Sequence, residues 1–166
     1  MAETLKLTAT ESVTIKATTP EVLEVEATYG PRGKPPPKHW HPDQDEQFRV
    51  LEGGIHVRTP DGERSLGEGE RIEIPRGTAH QMWNPGDAPA RVLWQTRPAG
   101  RTESWFRSID RLHREGRVGS NGMPGPLALA VLLNEYDDVF RLAVGPDFLI
   151  RGSLAALAPL GRLRGY

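Results

Sequence analysis

Between Ser12 and Pro98 the chain is interrupted every few residues by glycine, proline or Asp-Gly, and the pieces between are too short for helices. "SVTIKATT" and "VLEVEATY" alternate apolar and polar residues around Pro20, followed by "KHWH", "EQFRVLEG", "GIHVRTPDG", "ERSLGEG", "RIEIP", "AHQMWNPG" and "ARVLWQTRP". Period-two alternation sends successive side chains to opposite faces of a strand. The interruptions are turn signals. Eight to ten antiparallel strands are expected, a number that suits a sandwich or barrel of the jelly-roll kind.

The pattern changes near Gly100. "TESWFRSIDRLHREG" places Trp105, Phe106, Ile109 and Leu112 at helical spacing, with Gly116 as its stop. Residues 125–144 ("GPLALAVLLNEYDDVFRLAV") predict a second helix, and residues 146–166 a third that Pro159 kinks or ends. The expected division is a β-domain over 1–99 and a helical extension over 100–166, with no strand in the extension. Leu127, Leu129, Val131, Leu132, Leu133, Val139, Phe140 and Leu142 are apolar on more than one face. They predict burial against both the strands and a second copy of the chain, most simply as a homodimer.

The 166 residues are enough for one core without staples. A formal net charge of −1 argues against a nucleic-acid partner or an electrostatically held membrane protein. No cysteine is present, which removes thiolate chemistry and Cys-ligated metals. The longest apolar run, Leu127–Leu133, is far below the roughly 20 residues of a membrane span. The N-terminus lacks a basic stretch followed by an apolar one, so a cytoplasmic location without a secretory signal is expected.

In "KPPPKHWHPDQDEQF", His39 and His41 share one face of an extended segment, and Glu46 follows five residues later. His80 opens a later strand. Three imidazoles and a carboxylate form an N/O donor set suited to divalent manganese, iron, nickel or zinc. The spacing resembles the cupin family. Its first motif reads here Gly33, five residues, His39-Trp40-His41, four residues, Glu46, six residues, Gly53. Its second reads Gly69, five residues, Pro75-Arg76-Gly77, two residues, His80, three residues, Asn84. Every fixed position matches, with Gly54–Glu68 between the motifs.

The resemblance covers about Gly30 to Pro98 and implies an RmlC-like, all-β jelly-roll barrel with one divalent transition metal. It makes His39, His41, Glu46 and His80 the ligands, gives Gly53 and Gly77 to tight turns, and leaves Pro75 and Asn84 structural. Phe48 and Val50 share the facing of Glu46, and Met82 that of His80, so these, with Trp94, are expected to line a substrate pocket. Trp40 and Trp83 alternate away from it, towards the extension or a partner. His56, His113, Arg49, Arg58, Arg71 and Glu73 are expected on the outside, and Asp43 and Asp45 in a turn. A metal with an open position beside such a pocket suits a small organic substrate, as in a dioxygenase, isomerase or cyclase. The same resemblance covers non-catalytic sugar or metabolite binders and sensors.

Overall fold

The computed structural model describes residues 3–166; the first two residues of the expected first domain lie outside them. Nine strands fall in the predicted region: β2 (Glu11–Thr18), β3 (Leu23–Tyr29), β4 (His39–Trp40), β5 (Asp45–Glu52), β6 (Gly54–Thr59), β7 (Gly62–Gly67), β8 (Arg71–Ile74), β9 (Gln81–Trp83) and β10 (Ala90–Arg97). A short β1 (Thr4–Lys6) precedes them. All pairings are antiparallel, in a six-stranded sheet β1-β2-β3-β10-β5-β8 and a three-stranded sheet β7-β6-β9.

Alternation places the core as expected. On β3, Leu23, Val25, Ala27 and Tyr29 are buried while the residues between them are not. On β5 and β10 the inward pairs are Glu46–Thr96, Phe48–Trp94 and Val50–Val92. Each fully buried aliphatic side chain contributes roughly 1.5–3 kcal/mol relative to exposure. Gly53 (φ 75°) turns the chain from β5 to β6; a Cβ there would also stand 2.8 Å from the Pro89 carbonyl oxygen.

The all-β label needs correction, because the extension is part of the same core. Helix α1 (Thr102–Arg114) buries Trp105, Phe106, Ile109 and Leu112, as its spacing predicts, and Gly116 (φ 66°) follows its end. The expected 20-residue second helix is only α2 (Pro126–Glu135). Arg101 donates to the Glu135 carbonyl and pairs with Asp138, which satisfies the helix end and turns the chain away. The next residues form β11 (Arg141–Leu142), a strand not anticipated in the extension, paired with β4 in a third, two-stranded sheet. Helix α3 (Asp147–Leu163) runs through Pro159 instead of ending there.

Val131, Leu132, Leu133 and Val139 are buried within the chain, and Leu127, Leu129, Phe140 and Leu142 are half-buried. The large apolar side chains left exposed are Val144 and, on α3, Phe148, Leu149, Leu157, Leu160 and Leu163. No helix among the described residues is long and apolar enough to cross a membrane.

Helices α2 and α3 touch at Gly161, where a Cβ would meet Val131 Cγ2 at 2.5 Å and the Leu127 carbonyl oxygen at 2.7 Å. Alanine normally gains about 1 kcal/mol over glycine inside a helix. Here the backbone clash outweighs that gain. Gly161→Ala is expected to lower stability by about 1–3 kcal/mol in denaturant melts; an unchanged midpoint would contradict this packing.

Candidate metal centre

The two histidine motifs meet through the backbone. His39 and His80 face each other in an isolated bridge, His39 N donating to His80 O at 3.2 Å and His80 N to His39 O at 2.8 Å. Gly77 (φ 77°) donates its amide to the His41 carbonyl at 2.8 Å, tying the turn before His80 to the histidine pair of the first motif. Gly33 N donates to Asn84 O at 2.7 Å, and a Cβ on Gly33 would stand 3.0 Å from that oxygen. The Asn84 side chain donates to the carbonyls of Tyr29 and Ala88, so it fastens strands and lies outside the cavity lining.

His39, His41 and His80 each offer a ring nitrogen within 4.8 Å of the others. Each Nδ1 faces a backbone carbonyl: Pro37 at 3.0 Å, Val139 at 2.6 Å and Thr78 at 3.0 Å respectively. A carbonyl only accepts, so these contacts assign the hydrogen to Nδ1 and leave the Nε2 lone pairs to the interior. This is the arrangement that orients metal-binding imidazoles. Glu46 Oε2 lies 3.2 Å from His41 Nε2 and 3.1 Å from His80 Nε2. Its other oxygen accepts from Trp94 Nε1 at 3.1 Å.

The donor set fits a divalent ion. Donor atoms about 2.1 Å from a shared ion, at a near-right angle, stand roughly 3 Å apart. His41 Nε2 and Glu46 Oε2 are buried and have no hydrogen-bond partner among the described residues. A cation satisfies both.

The electrostatics are those of a site where charge is shared. Burial alone would raise the Glu46 carboxyl, but His41 and His80 outweigh it and hold Glu46 at about 2. Burial, reinforced by His80 and His41, lowers His39 to about 3. Burial also opposes protonation of His80, but the Glu46 carboxylate beside it leaves that imidazole above its ordinary value.

Above the donors is a cavity of about 150 Å³. Phe48, Met82 and Trp94 line it together with the four expected ligands. Val50 does not: it is 1% exposed and packed opposite Val92, one alternation further along β5. Phe48 and Trp94 stack at 5.3 Å.

The extension completes the site, which sequence reasoning missed. Trp105 and Phe106 of α1, Leu129 and Leu132 of α2, and Val139, Phe140 and Leu142 all line the cavity. Phe140 stacks on His39 at 4.4 Å and on Trp105 at 5.1 Å. β11 pairs Leu142 with His39 and Arg141 with Trp40, whose ring the Arg141 guanidinium covers. Glu11 and Tyr29 were also missed, although both line the cavity. Glu11 stands two residues before Val13, in phase with the inward face of β2, and this was its sequence signal.

The remaining expectations fall outside the cavity. Trp83 is buried with Arg58 over its ring, and half-buried His56 bonds Ser65. His113 is half-buried rather than on the surface, packed on α1 with its Nε2 covered. Asp43 is exposed, while Asp45 opens β5 and holds Arg76 in a bidentate pair.

Residues 25–96 match the Cupin domain family, so this stretch of the chain is a cupin domain. It is 33% identical over 92 residues to the tetracenomycin polyketide synthase protein TcmJ of Streptomyces glaucescens, a stretch of 55% of this chain and 54% of TcmJ. The match thus spans about half the length of that relative. An RmlC-like cupin from Shewanella frigidimarina superposes with a TM-score of 0.55 at 16% identity, over 61% of this chain and 88% of that one. The polyketide cyclase RemF from Streptomyces resistomycificus superposes with a TM-score of 0.50 at 22% identity, over 58% and 73%. Both likenesses establish the fold.

Proposed function

We propose that this cupin is a metal-dependent enzyme acting on a small, mostly apolar molecule that carries oxygen. The observation that carries the reading is the convergence of three imidazole Nε2 atoms and Glu46 Oε2 on one side of an apolar cavity. A divalent first-row ion there supplies Lewis-acid polarisation of a substrate oxygen. His39, His41, His80 and Glu46 hold it; Phe48, Met82, Trp94 and Phe140 exclude water and seat the carbon skeleton.

Size restricts the guest. An apolar cavity of roughly 150 Å³ accommodates a molecule like benzene. With the extension seated, this cavity therefore takes one ring or a metabolite of similar bulk, and a polycyclic molecule requires the extension to move. The likeness to TcmJ supports an oxygen-bearing carbon skeleton of polyketide type, and the limit to one ring comes from the cavity alone. A sugar finds few polar partners on this lining.

Metal analysis of protein purified without added metal, followed by oxygen-uptake and isomerisation or cyclisation screens, tests the reading. A protein that takes up no first-row divalent ion sinks it. Ligand binding without turnover on any candidate supports a non-catalytic binder instead. Trp94→Phe keeps the stack on Phe48 but removes the donor to Glu46. It is expected to weaken metal binding by about 10–100-fold in competition titrations, and unchanged affinity contradicts that role for Trp94.

Self-association belongs to this reading. α3 leaves Phe148 (74%) and Leu163 (84%) exposed, with Leu149 and Leu160 also open to solvent. A second copy covering that face makes the homodimer, and a monomer mass by light scattering at micromolar concentration counts against it.

A further inference from the structure

We propose that Glu11 is the catalytic acid–base of this cavity, moving a proton to and from a one-ring carbonyl substrate in a redox-neutral enolisation. This deepens the preceding reading and rests on it for the polarised oxygen. Glu11 lies on β2, outside the residues that match the cupin family. It lines the same cavity as His39, His41, Glu46 and His80, and it faces Tyr29 in the β2–β3 register. The neighbouring turn fixes the backbone at Glu11: its amide donates to Thr8 Oγ1 at 3.0 Å, and its carbonyl accepts from Leu7 N at 2.9 Å.

The cavity gives Glu11 no cation. Its titratable groups are Glu11 on β2, Tyr29 on β3, His39 on β4, His41 just beyond it, Glu46 on β5, and His80 before β9. The extension adds Thr102, Met123 and apolar side chains, and among the described residues no lysine or arginine lines the space. Glu46 has the histidines beside it, whereas Glu11 stands opposite Tyr29 in the strand register, and the Tyr29 hydroxyl donates to Met82 Sδ at 3.6 Å. Burial raises the Glu11 carboxyl to about 7, with Tyr29 offsetting part of the rise. The two carboxyls of one cavity are thus driven apart, Glu46 fixed as an anion and Glu11 able to carry or release a proton near neutrality. That separation is how one site assigns different roles to two carboxyls.

The step balances without an oxidant. Ionised Glu11 takes a proton from the carbon next to the substrate carbonyl. The C–H bond breaks, an O–H bond forms on Glu11, and the electron pair moves into the enolate. Returning the proton to the same carbon gives exchange; returning it elsewhere gives isomerisation.

Acetophenone, a one-ring ketone, is the probe. Deuterium entry into its methyl group in D2O is followed by NMR with metal-loaded wild type, Glu11→Gln and Tyr29→Phe, and metal content is measured on the same samples. Circular dichroism checks folding. Wild type is expected to accelerate exchange along a pH profile with a midpoint near 7, and Glu11→Gln to lose about a hundredfold or more at unchanged metal content. Tyr29→Phe is expected to move that midpoint upward, because its hydroxyl favours ionised Glu11. In metal-free protein labelled with carboxyl-13C glutamate, the resonance missing from Glu11→Gln is expected to titrate near neutrality.

Equal exchange by wild type and Glu11→Gln overturns the proposal, as does no exchange above buffer by metal-bound wild type. If wild type takes up no metal, the metal reading fails separately and the 13C titration decides for Glu11. A midpoint in the ordinary carboxylate range then refutes the proposal.

Discussion

A His41→Ala variant is expected to lose metal-dependent stabilisation altogether, whereas wild type melts well above its metal-free form when loaded. The size follows from mass action. An ion present at 100–1,000 times its dissociation constant stabilises the folded state by about 2.7–4.1 kcal/mol. For a chain of this length, 1 kcal/mol is about 2–4 °C, so loading shifts the wild-type melt by roughly 5–16 °C. His41 is the informative ligand because it is 6% exposed and its Nε2 has no partner among the described residues. Its removal deletes one donor and leaves Glu46 Oε2 facing a hole. The shift also depends on pH. Burial opposes protonation of His80, but Glu46 beside it leaves that imidazole above its ordinary value, so the ion must displace a proton there and loading weakens as pH falls. A His41→Ala protein that melts higher with zinc or manganese, by as much as wild type, would refute the donor set.

Much of this site is written locally in the sequence, and the rest is not. His39 and His41 share a strand face because period two requires it, and Phe48 and Met82 face the cavity by the same rule. Alternation gives a facing but not a depth, which is why Val50 shares the facing of Phe48 yet lies sealed against Val92. The extension was harder to read. "EYDDVF" continues an apolar helical pattern, but its course is set by Arg101, more than thirty residues earlier, which holds Glu135 and Asp138. The Val139 carbonyl carries no side-chain signature at all, yet it fixes the His41 ring. Backbone groups supplied from a distance are invisible to residue patterns. Glu11 was legible in principle, as an acid in phase with Val13 and Ile15 on a strand that otherwise points apolar residues inward.

That dependence on the extension is measurable at Trp105. Trp105 is 7% exposed, stacks on Phe140 and meets Tyr136 edge-on at 5.7 Å. Phe140 in turn lies flat on His39, and the preceding residue's carbonyl holds His41 Nδ1. Trp105→Ala is expected to lower stability by about 3–5 kcal/mol, a large share of the roughly 5–15 kcal/mol available to a folded domain. It is also expected to weaken metal binding by about 10–100-fold, because two of the three imidazoles lose the packing or the acceptor that orients them. Leu112→Ala separates the two effects. Leu112 is buried on the same helix but does not line the cavity, so its loss of about 2–5 kcal/mol leaves metal affinity unchanged. If both variants lose stability and neither loses metal affinity, the extension is only a cover. If Trp105→Ala alone loses the metal, helix α1 and the β11 segment are part of the centre itself, and any motion that admits a larger substrate loosens the ion at the same time.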